Sequence, residues 1–382
     1  MKANSDKILP DRPKRRLLIN VIIFLVTVIG LFAATEVVMR LMLPSQKNEG
    51  YLWRPEANRD YRKSIFEPDA EAINLGVLTK INSLGLKNRE TTLEKAGNAT
   101  RIAVFGDSFV YGDGLAIEDT YPSWLEQSLD STCGLDGAIE VINFGAGGLN
   151  TFQEAMYAVN YGMRFDPDII ILVWVYNDIE MNGYTLEDLE FFQKSHILTQ
   201  DGGKKRQTSG QSGKIGSFKG SKSFTIRFWD FYEKVKSKSK LLYFLGMRTK
   251  ELLQKMGLNL KSSERIIYSD LNSDGFRLSF NSLTYLADEC REHGIEFHVV
   301  VYPPLQKLDD DYYNDLINKK VERFCRENGI ACLNLFPHYR GKDPAKMHVS
   351  WMDYHPSSYA NEIAARATER YLCIHSKVLA TL

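Results

Sequence analysis

Apolar and polar residues fall in blocks along this chain, and the blocks predict its elements. The longest apolar block, Leu17 to Thr35, reads LLINVIIFLVTVIGLFAAT, with Asn20 its only strongly polar side chain. As a helix it would span about 28 Å, near the hydrocarbon thickness of a bilayer. Its apolar residues occupy every face, unlike a core helix that buries one stripe. Glu36 and Arg40 mark its exit and Pro44 ends it.

After residue 100 the blocks become shorter. RIAVF, EVINF, DIIILVWVY, IEFHVVVYPP and IACLNLF predict strands, several of them apolar throughout, as strands covered on both faces are. Between them TYPSWLEQSLD, residues 151–161, SLTYLADECREHG and DYYNDLINKKVERFCRENG predict helices, and a last helix follows from about Ser357 to Leu372. Strands alternating with helices predict an open parallel sheet with helices on both sides. Active sites of such sheets gather beyond the carboxyl ends of the strands.

Four regions follow. Residues 1–16 form a basic N-terminus and residues 17–43 a transmembrane anchor. Residues 44–100 read as a connector of mixed composition with a turn-like INSLGLKNRE, and residues 101–382 as one α/β domain. A flexible insertion is expected around 196–225, where residues 199–224 are rich in Gly, Ser and Lys. The stretch after it, beginning FTIRFWDFYEKV, predicts aromatic-rich helix, read as a lid, a membrane-proximal element or ordinary packing.

Charge sets the orientation of the anchor. Lys2, Lys7, Arg12, Lys14, Arg15 and Arg16 precede the apolar block against Asp6 and Asp11, so the positive-inside rule puts the N-terminus in the cytoplasm and the rest outside. A cleaved signal peptide is the rival reading, with Ala33-Ala34 as small residues for cleavage, but the apolar stretch exceeds the usual length. The 382 residues are 44% hydrophobic and 25% charged, which suits a globular protein with a full core. Formal net charge is zero, so no global field attracts nucleic acid. The five cysteines form no CxxC and lack zinc-ligand spacing; only Cys325 with Cys332 is a candidate bridge, and small buried residues are the other reading.

Four short motifs carry candidate chemistry. Gly106-Asp107-Ser108 follows the strand RIAVF, where a serine on a strand-to-helix turn presents its hydroxyl at the sheet edge beside its own N–H. A plain turn is the competing reading. Asn143-Phe-Gly-Ala-Gly-Gly148 supplies glycines whose N–H groups can form an anion-binding nest, or simply a loop needing positive φ. It lacks the Lys-Ser/Thr of a P-loop and the spacing of GxGxxG. Tyr176-Asn177-Asp178 ends the most apolar strand; the Asn177 amide can donate to an oxyanion, or cap a turn. Asp353-Tyr354-His355-Pro356 precedes the last helix, where His355 can take a serine proton and a carboxylate can fix its tautomer. His348 lacks the local carboxylate, and His298 sits inside a strand.

In this order the motifs resemble the blocks of the SGNH (GDSL-like) hydrolase superfamily, over residues 101–372. GDSFVYGDG is similar to the first block, NFGAGG to the second, YND to the third and DYHP to the last. The resemblance implies Ser108 as nucleophile, His355 as base, Asp353 as its partner, and Ser108, Gly148 and Asn177 as the oxyanion hole. Two departures stand out: Val175 replaces the glycine usual before the third block, and the aspartate lies two rather than three residues before His355, with Met352 at the usual place. The resemblance also implies a flavodoxin-like three-layer α/β/α fold and ester chemistry without cofactor, metal or nucleotide. The expected function is a membrane-anchored serine esterase acting on acyl groups, acetyl foremost, of an extracytoplasmic glycan or lipid. An O-acyltransferase that modifies an exported polysaccharide with the same residues is the alternative, and a catalytically silent, membrane-tethered binding protein is the second.

Overall fold

The structure is a computed structural model that describes residues 13–42, 61–95, 97, 99–133, 139–179, 239, 241, 274–309, 315–350 and 353–381. The chain divides into two compact units, one of Met1–Ser45 with Ser212–Asn259, the other of Gln46–Gln211 with Leu260–Leu382. The expected insertion and the aromatic-rich stretch after it fall largely outside the described residues, as does Met352, whereas Ala33-Ala34 lie within the helix Pro13–Met42.

In the first unit, α1 (Pro13–Met42) contains the apolar block. Its stretch Ile19–Leu41, with mean hydropathy 2.6, is long and apolar enough to cross a membrane. Near its end the Glu36 carboxylate accepts hydrogen bonds from Arg40 Nε at 2.7 Å, Ser239 Oγ at 2.8 Å and the Leu241 N–H at 2.9 Å.

The second unit begins with an antiparallel hairpin, β1 (Glu71–Asn74) and β2 (Val77–Lys80). The strands β3 (Thr100–Gly106), β4 (Ile139–Gly145), β5 (Ile169–Trp174), β6 (Glu296–Val301) and β7 (Ala331–Asn334) then form a parallel sheet in the order β4-β3-β5-β6-β7. Counted from β3, that order is 2-1-3-4-5, the flavodoxin-like arrangement. It reverses at β3, so the loops after β3 and β5 diverge and open a crevice at the carboxyl edge. A second hairpin, β8 (His348–Ser350) with β9 (Asp353–Pro356), lies near the C-terminus.

Strand period explains why the central strands are apolar throughout. Along β5, Ile169, Ile171 and Val173 join one core, while Ile170, Leu172 and Trp174 join the other. Along β3, Ile102 and Val104 part from Ala103 and Phe105 in the same way. Successive side chains point to opposite faces, so both faces need covering. One face receives α3 (Tyr121–Cys133), the short α7 (Phe336–Tyr339) and α8 (Ser358–His375) through Leu125, Leu129, Tyr339, Ala364 and Leu372. The other receives α4 (Thr151–Asn160), α5 (Asp274–Glu292) and α6 (Asp315–Glu327) through Tyr157, Leu283 and Val321. Local signals start these helices: Asn150 and Gln153 form a capping box on α4, and the Ser357 hydroxyl accepts the Ala360 N–H at the start of α8.

The expectation of a connector over 44–100 changes from residue 61 onward. Ile65, Phe66, Ala72, Ile81 and Leu86 are buried in the core that also holds Phe105 and Phe144. This stretch packs onto the sheet and is part of the domain. Its buried apolar residues come singly or as a pair, at irregular spacing, so no sustained periodic pattern marked them. Cys290, Cys325, Cys332 and Cys373 are free thiols.

Glycines at the sheet edge admit the next turn of chain. A Cβ on Gly145 would stand 2.2 Å from the Tyr111 nitrogen, and one on Gly106 would stand 2.4 Å from Val110 Cγ2. Gly145→Ala is therefore expected to cost about 1–3 kcal/mol through overpacking. Thermal denaturation of the variant checks this; an unchanged midpoint would refute the close seating.

Candidate active site

Ser108 opens α2 (Ser108–Tyr111) immediately after β3, at the point where the strand order reverses. Asp107 makes that turn. Its Oδ1 accepts the Phe109 N–H at 2.8 Å, capping the short helix, and its Oδ2 accepts from Asn177 Nδ2 at 2.8 Å. The aspartate of the first motif is thus a brace between the serine turn and the end of β5, a role that local sequence did not reveal. Asp107 is fully buried, which raises its pKa, and the bonds from Phe109 and Asn177 oppose that rise.

Asn143 secures the same turn from β4. Its Nδ2 donates to the Val110 carbonyl at 3.0 Å, and its Oδ1 accepts the Gly145 N–H at 2.8 Å. Gly148 follows in the turn between β4 and α4, exposed, with φ +74° and nothing within 4 Å of where a Cβ would stand. Asn177 lies half-buried in the 3-10 turn Tyr176–Ile179 after β5. One of its amide hydrogens goes to Asp107, which leaves the other for a ligand.

His355 and Asp353 lie on β9. Residues two apart on a strand share a face, and here Asp353 Oδ1 is 2.6 Å from His355 Nδ1 and also accepts the His355 N–H at 2.9 Å. The D-x-H spacing found here is therefore one that a strand serves directly. Phe109, the residue after Ser108, packs its ring edge-on to His355 with centroids 5.9 Å apart. The two neighbours of Ser108 thus link its turn to the other candidates, Asp107 to Asn177 and Phe109 to the His355–Asp353 pair. Among the described residues no hydrogen bond joins the Ser108 hydroxyl to His355. The other ring nitrogen, Nε2, is 3.5 Å from Asp113 Oδ2. His298, by contrast, is buried within β6 between Glu296 and Tyr371.

Electrostatics favour a charged imidazole. Burial works to lower the His355 pKa, but the Asp353 hydrogen bond and charge, then Asp113 and Asp107, outweigh it and lift the value to about 9. Burial likewise works to raise Asp353, and the His355 bonds reverse this and hold it below the ordinary carboxylate value. Beneath the site lie two further buried acids, Glu154 and Asp178. Burial pushes both well upward; Asp178 adds to the rise of Glu154, and Asp107 to that of both. Asp178 accepts from Thr151 Oγ1 at 3.3 Å and from the Val175 N–H at 3.2 Å.

The chain overlaps solved structures at low identity. A catalytic mutant of an acetylxylan esterase from Geobacillus stearothermophilus is 13% identical, covering 73% of this chain and 96% of that one, with TM-score 0.40. An alpha/beta hydrolase enzyme from the metagenome of Lake Arreo, Spain, is 14% identical over 74% and 99%, with TM-score 0.39. A G-D-S-L family protein from Desulfitobacterium hafniense DCB-2 is 12% identical over 72% and 99%, with TM-score 0.36. No family model and no curated protein matches the sequence. With these TM-scores below 0.5, the chemistry of the site rests on its own geometry.

Asp353→Asn is expected to bring the His355 pKa down from about 9 toward its ordinary 6.5, read by NMR titration of the ring. The sign for stability follows. The raised pKa stabilises the fold fully below about 6.5, and that contribution is lost as pH rises through about 9. The wild type should therefore lose more stability than Asp353→Asn between neutral and alkaline pH, and equal losses would refute the coupling.

Proposed function

We propose that this chain is a membrane-anchored serine esterase of the SGNH type. The observation that carries the reading is the Asp353–His355 pair at 2.6 Å, packed by Phe109 against the turn that bears Ser108. An acid-oriented imidazole beside a serine at a strand-to-helix turn is the arrangement for nucleophilic acyl transfer.

In this reading Ser108 Oγ attacks the acyl carbonyl carbon while His355 Nε2 takes the hydroxyl proton. The Ser108 N–H, the Gly148 N–H and the free amide hydrogen of Asn177 receive the oxyanion. Collapse of the tetrahedral adduct expels the alcohol, which takes the proton from His355, and leaves Ser108 acylated. Water then gives a proton to His355, attacks the acyl carbon and releases the acid, and the proton returns to Ser108. Asp107 contributes by aiming Asn177.

The apolar helix α1 with basic residues before it supports an N-terminus in the cytoplasm and a catalytic domain on the far side of the membrane. Its substrate there is an acylated glycan or lipid. A sugar hydroxyl in place of water in the second half-reaction turns the same residues to acyl transfer.

Ser108→Ala should abolish p-nitrophenyl acetate turnover by a folded protein, and a fluorophosphonate probe should label Ser108 in the wild type alone. Unchanged turnover by the variant would overturn the reading. Asn177→Ala should lower kcat by about 10²–10³-fold. Because the base must be deprotonated, kcat/KM should rise with pH toward a limb near 9, seen in a pH–rate profile.

A further inference from the structure

A carboxylate stands at each edge of the His355 ring. On one edge Asp353 holds Nδ1 at 2.6 Å, as a triad acid does. On the other, Asp113 Oδ2 stands 3.5 Å from Nε2, the nitrogen that must face Ser108 during catalysis. Asp113 is the aspartate of the Gly112-Asp113-Gly114 turn that follows α2, and neither the motif reading nor the triad assigns it a role.

Three features hold that carboxylate in place, and two of them come from the segment that reads in sequence as a connector. Asn74, at the end of β1, donates from Nδ2 to Asp113 Oδ1 at 2.7 Å. That bond leaves Oδ2 turned to the histidine. Lys87 is buried and straps the turn on either side of Asp113: Nζ donates to the Gly112 carbonyl at 2.7 Å and to the Leu115 carbonyl at 2.8 Å, and sits 4.6 Å from the centre of the Tyr111 ring. Gly114, at φ +73°, leaves no room for a side chain; a Cβ there would stand 2.8 Å from Val349 Cγ1 and 2.9 Å from Leu75 Cδ1. The turn is therefore clamped between the tip of the first hairpin and β8.

We infer that Asp113, fixed by Asn74 and Lys87, is a positioning residue for His355, which holds the Nε2 edge of the ring and sets the pH range in which Ser108 is activated. The inference rests on the assignment of Ser108 and His355 as nucleophile and base. With a carboxylate at each edge, an imidazolium has a partner for both N–H groups, whereas a neutral ring must face one carboxylate with a lone pair. The resting enzyme thus favours the protonated base, and loss of that proton frees Nε2 to turn to the Ser108 hydroxyl.

The charges around the ring agree. Asp353 faces it from β9, Asp113 from the turn after α2 and Asp107 from the turn before it, all acting to raise the His355 pKa. Lys87 opposes only through Asp113, and His348 on β8 acts on Asp353. Of the three acids, Asp113 is the one that neither completes the triad nor braces the oxyanion donor, so it can be neutralised without dismantling either.

The test is the pH dependence of Ser108 labelling by a fluorophosphonate in the full-length chain in detergent micelles. The wild type should label with a midpoint near 9. Asp113→Asn should move the midpoint down by about one unit, or a tenfold change in the neutral fraction at a given acid pH. Asn74→Ala, which keeps the charge but frees the carboxylate, should give a smaller shift in the same direction. Lys80→Ala, on the exposed face of the same hairpin, should give none. A lower plateau with an unmoved midpoint in Asp113→Asn would overturn the inference, since that is what a merely structural role produces. NMR titration of the His355 ring in Asp113→Asn should show the same shift, and an unshifted ring would likewise overturn it. Absence of label on Ser108 at every pH overturns the esterase reading instead, and the ring titration then still decides the Asp113 contact.

Discussion

The close seating of the Asp107–Tyr111 turn on the ends of β3 and β4 governs the rest of the site. Gly106 and Gly145 leave no space for a side chain, so Val110 and the Tyr111 backbone lie against them. Asn143 ties the Val110 carbonyl, and the Ala146 N–H donates to the Gly106 carbonyl at 3.0 Å. A turn fixed on that many sides carries three neighbouring residues into defined places. Ser108 opens the short helix at the sheet edge, Asp107 reaches across to Asn177, and Phe109 backs His355. Preorganisation of this kind lets hydrogen-bond donors act on a developing charge without reorganising.

Burying carboxylates beside the sheet edge is costly unless they are bonded or neutralised. The site uses different solutions for different acids. Asp107 takes a backbone N–H and an amide, Asp353 takes the His355 imidazole and the His355 backbone N–H, and Asp113 takes Asn74 with Lys87 nearby. Glu154 and Asp178, deeper still, are pushed toward the neutral form. Among the described residues, the cation that answers several of these acids at once is the protonated His355, which is why its pKa lies above that of an ordinary histidine.

Much of the fold was legible from local pattern. Fully apolar strands predicted a sheet covered on both faces, and the two cores on either side of β3 and β5 give the physical reason. The D-x-H spacing departs from the Asp-x-x-His block that the sequence resembles, and β9 supplies the reason: a strand brings residues two apart together. Residues 61–95 were not legible as part of the domain. Their buried side chains come in short, irregularly spaced groups, and the contacts of Asn74 with Asp113 and of Lys87 with Gly112 and Leu115 cross dozens of positions.

Composition and periodicity thus settled what is local: an apolar helix long enough for a bilayer, a succession of strands and helices, and polar residues waiting at strand ends. Such features follow from side-chain period and turn chemistry, which act over a few residues. Which polar residues meet was decided only in three dimensions. The strand order reverses at β3, a hairpin from the supposed connector reaches the turn after α2, and β9 lays His355 against Phe109. Those are long-range pairings between surfaces that no short stretch of sequence encodes. They give Asp107 and Asp113, ordinary turn residues in the sequence, their places on either side of the short helix that Ser108 opens.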